Sequence, residues 1–131
     1  MPKLFTYQKK DKLKSRKQTQ NLFSNGKAIG VFPIKLIYTI EAIDTDGLLQ
    51  AGVGAPTRTF RKAVQRNRVK RLLREAYRLE KPSFLTQFSL EHKRINLFFL
   101  YGNAEVLPQA EIQNKVRSAL ALLAQKLNAN L

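Results

Sequence analysis

Apolar and polar positions alternate along this chain in ways that set its local structure. From Val31 to Ile40, Phe32, Ile34, Leu36, Tyr38 and Ile40 recur at every second position, the period of a strand with one buried face. Phe32 on such a face is read as core. Asp44-Thr45-Asp46-Gly47 then forms a turn, and Leu48 to Gly54 is expected to return as a second strand. Gly52 and Gly54 within it point to a bulge or a close backbone approach. Residues 94–101, Arg-Ile-Asn-Leu-Phe-Phe-Leu-Tyr, are apolar enough on both faces to be central in a sheet, and Gly102-Asn103 closes that strand.

Between the strands the period changes to that of a helix. A short helix is predicted over Arg16 to Ser24, stopped by Asn25-Gly26. A longer one begins between Thr59 and Ala63. At about 100° per residue, Val69, Leu72, Leu73, Ala76 and Leu79 fall within one arc, a core-facing stripe. Its end is expected by Lys81, because Pro82 disfavours helical geometry in the residue before it. Pro108 and Glu111 suit the first turn of a last helix, where Ile112, Val116, Ala119, Leu120, Leu123 and Leu127 make a continuous stripe. The order is α-β-β-α-β-α, a small α+β sandwich with helices packed on the sheet.

Charge changes the picture. The chain has 131 residues, with 24 Lys and Arg against 9 Asp and Glu, a formal net charge of +15. Residues 1–11 read as a basic flexible arm and 12–128 as a single domain. Along the long helix, Lys62, Arg66, Lys70, Arg74 and Arg78 form an i, i+4 row, with Arg68 and Arg71 beyond it and only Glu75 offsetting them. Each like-charged pair at that spacing destabilises an isolated helix by roughly 0.2–0.5 kcal/mol. A solvated basic face is the bland reading of a charge run. Here the charges are nearly all of one sign and continue into Arg58, Arg61 and the arm, which favours a nucleic-acid polyanion. Asn67 is equally suited to a base, a sugar hydroxyl or a local turn.

Catalytic chemistry finds little support. There is no cysteine, so disulfides and thiolate metal sites are excluded. The lone histidine, His92, reads as a surface loop residue, and Asp44 and Asp46 as turn formers rather than Mg²⁺ ligands. No phosphate-binding loop or zinc motif is present. The longest dense apolar run, Ile95 to Tyr101, is far short of the roughly 18–20 residues a membrane span needs, and no apolar signal segment precedes Lys9. A cytoplasmic protein without a membrane partner is the expectation. Phe23 and Tyr38 are candidates for stacking on unpaired bases.

Arg66-Asn67-Arg68-Val69-Lys70-Arg71-Leu72-Leu73-Arg74-Glu75 resembles the signature of the protein component of bacterial ribonuclease P. Lys12-Leu-Lys14-Ser-Arg16, Leu22-Phe23-Ser-Asn-Gly26, Tyr38-Thr39 and Gly52-Val53-Gly54 followed by Arg58 extend the similarity from Lys12 to about Lys126. Thr19 and Thr59 depart from the family, which often has an aromatic and a basic residue there, and Arg61-Lys62 replace a frequent Gly-Asn. The resemblance implies a mixed sheet with a left-handed β-α-β crossover. It also implies an accessory subunit of an endoribonuclease whose catalytic RNA, using Mg²⁺, removes the 5′ leader of precursor tRNA. The protein itself would carry no catalytic residue, metal or cofactor. Its partners would be the catalytic RNA and precursor tRNA, with no obligate protein partner. The RNA-binding set would be Lys12, Lys14, Arg16, Arg58, Arg61, Lys62, Arg66, Asn67, Arg68, Lys70, Arg71 and Arg74. Phe23 and Tyr38 would line a cleft for the leader, between the first helix and the sheet. A ribosomal-type or assembly RNA-binding protein is the main rival reading.

Overall fold

Pro33 divides the first predicted strand in two. A proline has no N–H to give to a ladder and is excluded from the middle of a sheet. In the computed structural model, which describes residues 16–44 and 46–129, the chain accordingly turns back at Phe32-Pro33. The arm expected over residues 1–11, with Lys12, Lys14 and the side chain of Arg16, lies outside the described residues. The elements are α1 (Arg16–Asn25), β1 (Lys27–Val31), β2 (Ile34–Ala42), β3 (Leu48–Gly54), α2 (Ala63–Leu85), β4 (Lys93–Tyr101) and α3 (Gln109–Ala129). The single strand expected from Val31 to Ile40 is thus a hairpin in which Val31 faces Ile34. Phe32 sits in the turn, 73% exposed, and the expectation that it belongs to the core is corrected. Ile40, at the far end of β2, is 40% exposed.

The sheet order is β1-β2-β4-β3. β1 with β2 and β2 with β4 are antiparallel, whereas β3 and β4, joined through α2, are parallel. The sheet is therefore mixed, with the apolar β4 inside it as its composition requires. One face carries Ile34, Leu36 and Tyr38 of β2 beside Ile95, Leu97, Phe99 and Tyr101 of β4 and Leu49 and Ala51 of β3, all buried. Helices α2 and α3 pack on this side. Val69, Leu73, Ala76, Tyr77 and Phe84 form the inner face of α2, with Leu72 and Leu79 half-buried at its margin. The stripe of α3 is buried at every expected position.

Helix α2 runs through Pro82 to Leu85 rather than ending by Lys81. Proline removes the bond to the carbonyl one turn back. The packing of Phe84, 1% exposed with its ring 4.7 Å from that of Phe88, holds the last turn in place. Between the helices, Arg117 Nε donates to Glu80 Oε1 at 2.7 Å and Gln113 donates to Glu80 Oε2 at 2.7 Å. These bonds hold the Glu80 carboxyl below the usual carboxylate range, the guanidinium of Arg117 being the main cause. The Tyr101 hydroxyl donates to the Glu105 carbonyl at 2.6 Å and accepts from Leu107 N–H at 3.0 Å, fastening the loop between β4 and α3.

Candidate nucleic-acid interface

The burial of one side of α2 decides where its charges go. Once Val69, Leu73 and Ala76 face the core, the 100° step leaves Arg68, Arg71 and Arg74 in solvent, with Asn67 beside them. Arg58, Arg61 and Lys62 are exposed on the loop leading into the helix, and Lys70 is half-buried. Among the described residues, Arg68, Lys70, Arg71 and Arg74 hold no ion pair. Arg78 is different. Its Nη2 lies 2.6 Å from Glu75 Oε1, a pair that lowers the Glu75 carboxyl, chiefly through that hydrogen bond. The i, i+4 row therefore loses its last member to an internal partner.

Its second member is committed as well. Arg66 Nη1 donates to the carbonyls of Phe60 at 2.8 Å and Arg61 at 2.9 Å. Lys62 caps the helix with extended backbone and no side-chain bond. The arginine thus ties the loop to the first turn by donating to loop carbonyls, whereas a capping side chain would accept from the free N–H groups of the helix. Nothing in local periodicity signals this role, because it depends on how the loop folds back.

Among the described residues, the opposite face of the sheet is covered only by α1. Leu22, fully buried, lies against this side with Ile37. Gly26 passes so close that a Cβ on it would meet the Leu22 carbonyl and lie 2.8 Å from Ile37 Cγ2. Phe23 is 49% exposed and meets Phe98 edge-on at 5.0 Å. Gly54 gives Phe98 room, since a Cβ there would lie 2.7 Å from Phe98 Cε1; the close neighbour is thus a side chain and not backbone, and the continuous β3–β4 register leaves no bulge at Gly52 or Gly54. Beyond Phe98 the face is polar, with Asn96 Nδ2 3.5 Å from Thr39 Oγ1 and Arg94 3.9 Å from Glu41.

Tyr38 does not share this face with Phe23. Alternation along β2 places it with Leu36 on the helix-covered side, 4% exposed, and burial raises its hydroxyl pKa. It is reached instead from a cavity of about 560 Å³ at the open end of the hairpin, where β2 continues past its last β1 partner, Lys27. Asn21 and Asn25 of α1, Lys27, Lys93 and Lys126 line the same cavity. No motif in the sequence singles out those lysines; strand register brings Lys27 and Lys93 together, and the packing of α3 adds Lys126. His92 is exposed in a tight turn with φ of 58°, its carbonyl accepting from Ile43 N–H at 2.9 Å. Among the described residues, no three His, Asp or Glu side chains gather to hold a metal ion, and no helix is long and apolar enough to cross a membrane.

Fold and surface together define a small basic α+β protein whose cations, among the described residues, are densest on one helix and the loop before it. A family model described as Ribonuclease P matches residues 7–124. The ribonuclease P protein components of two strains of Porphyromonas gingivalis are 39% identical over 80 residues, 61% of this chain and 58% of theirs. The match thus spans a little over half the length of these curated relatives. Among solved structures, the ribonuclease P protein of Staphylococcus aureus superposes with a TM-score of 0.64 at 15% identity, covering 86% of this chain and 94% of that one. The Thermotoga maritima protein superposes at 0.52 and 19%, covering 88% and 96%. At such identities the superpositions speak for the fold. The chain belongs to the ribonuclease P protein family.

Proposed function

We propose that this chain is the protein subunit of a ribozyme-based endoribonuclease that removes the 5′ leader from precursor tRNA. One observation carries the reading. In a member of this family, Arg68, Arg71 and Arg74 stand in solvent on a helix fixed by its own apolar face, with no acidic partner among the described residues. Guanidinium groups match phosphate oxygens with a planar fork. Mounted on a rigid helix, they need no backbone ordering on binding, and only their own rotamers have to be fixed. The catalytic RNA is held there, together with Arg58, Arg61, Lys62, Lys70 and Asn67. Arg66 acts mainly by positioning the loop.

The leader lies along the side of the sheet that α1 partly covers. The exposed part of the Phe23 ring offers a stacking surface for one base, and the lysine-lined cavity beside Tyr38 offers positive charge to its phosphates. The protein's contribution is electrostatic and positional. It lowers the repulsion between two RNAs and favours substrates that carry a leader. Scission is the work of the RNA, which also holds the Mg²⁺. The test is reconstitution of the purified chain with the catalytic RNA of its own organism at low Mg²⁺. Precursor cleavage stimulated by the protein, and absent without the RNA, is the expected result. RNA binding without stimulation would favour a ribosomal-type or assembly role instead.

A further inference from the structure

Phe32 has no part in the interface described above, yet it stands 73% exposed on a rigid mount. The Gly102 N–H donates to the Pro33 carbonyl at 2.8 Å, and Ile34, the next residue, is paired with Tyr101. Beside the ring lies a shallow recess of about 450 Å³, lined by Ala28, Gly30, Pro33, Lys35 and Gly102. Its floor is low: no atom lies within 4 Å of where a Cβ on Gly30 would project. The lining is apolar except for Lys35, which is exposed and holds no ion pair among the described residues.

The recess lies at the same end of the sheet as the cationic loop. Tyr101, opposite Ile34, packs its ring 5.8 Å from that of Phe60, and the carbonyl of Phe60 is held by Arg66. Arg58, Arg61 and Lys62 belong to that loop. A protein partner would require a contiguous surface on the order of 800 Å², far more than one ring and a shallow recess. A single planar group carrying a negative charge fits the dimensions and the field of a chain of net charge +15.

We propose that Phe32 and this recess form a stacking site for one unpaired nucleobase of the partner RNA, with Lys35 taking an adjacent phosphate. The inference rests on the RNA-binding reading above and extends it to the β1–β2 turn. The chain contains no tryptophan, so Phe32→Trp would introduce the sole indole and keep a stacking surface. Its fluorescence is followed while the catalytic RNA, single-stranded hexaadenylate RNA, or a short RNA duplex is added. Saturable quenching by the first two and little by the duplex is expected. Phe32→Ala, with a melting curve like that of the parent, is expected to weaken catalytic-RNA binding by about fivefold or more, the low end of the effect of removing one stacked base. An indole left unquenched by both single-stranded probes, or a Phe32→Ala variant that binds as the parent does, overturns the site. The double variant Arg71→Glu, Arg74→Glu separates the two levels. If the parent binds the RNA and this variant does not, the helix reading stands whatever Phe32 does; if the parent binds no RNA, both fall.

Discussion

Arg66 Nη1 lies 2.8 Å from the main-chain carbonyl oxygen of Phe60, with the Arg61 carbonyl 2.9 Å away on the same nitrogen. A residue that sequence similarity assigns to RNA is thereby also a fastener of the loop that carries Arg58, Arg61 and Lys62. The two roles separate experimentally. Arg66→Ala removes two bonds from a charged donor, each worth on the order of 1 kcal/mol net, and is expected to lower the melting temperature. Arg71→Ala, at an exposed position without an internal partner among the described residues, is expected to leave it unchanged. Equal melting temperatures for the two variants would remove the fastening role.

The cations on the outer side of α2 should show themselves in the salt dependence of RNA affinity. Lys70→Ala and Arg71→Ala are each expected to reduce the slope of log K against log salt by about 0.7–1 for every phosphate no longer neutralised. Filter binding of the catalytic RNA at a series of salt concentrations measures it. Unchanged slopes in both variants contradict the assignment of the α2 face.

Phe23 meets Phe98 edge-on yet leaves half its surface in solvent. Phe23→Ala is expected to weaken binding of leader-bearing precursor by roughly 5- to 150-fold, the range of one stacked base, while mature tRNA binds as before. Competition of the two ligands for the holoenzyme reads the ratio directly. An equal loss for both would mean that the ring serves packing alone.

Glu80 supplies a pH prediction whose sign follows from its partners. Hydrogen bonds from Arg117 and Gln113 lower its pKa in the folded state, against about 4.3 for a free side chain. The pair's contribution is therefore fully present above about pH 4.3 and is lost as pH falls through the lower folded value. Glu80→Gln is expected to melt below the parent at neutral pH, with the difference narrowing under acid conditions. Melting curves between about pH 7 and pH 3 test it, and a gap that widens with acid would reverse the argument.

Much of this protein is legible without coordinates, because burial leaves a periodic trace in the chain. The stripe from Ile112 to Leu127 specifies an amphipathic helix wherever it packs, and the apolar run of β4 suits only an interior strand. The cationic side of α2 follows from the same step of 100° that buries Val69 and Leu73. Period two, however, says that neighbours in a strand face opposite ways without saying which way faces the helices. The pairing of Tyr38 with Leu97 made that choice, sending Tyr38 inward while Phe23 settled on the other side with Phe98. Likewise the continuation of α2 to Leu85 and the capture of the Arg66 guanidinium by the Phe60 carbonyl depend on groups brought together by folding. Local pattern determines which atoms avoid water. Only the closed three-dimensional packing determines which groups then meet.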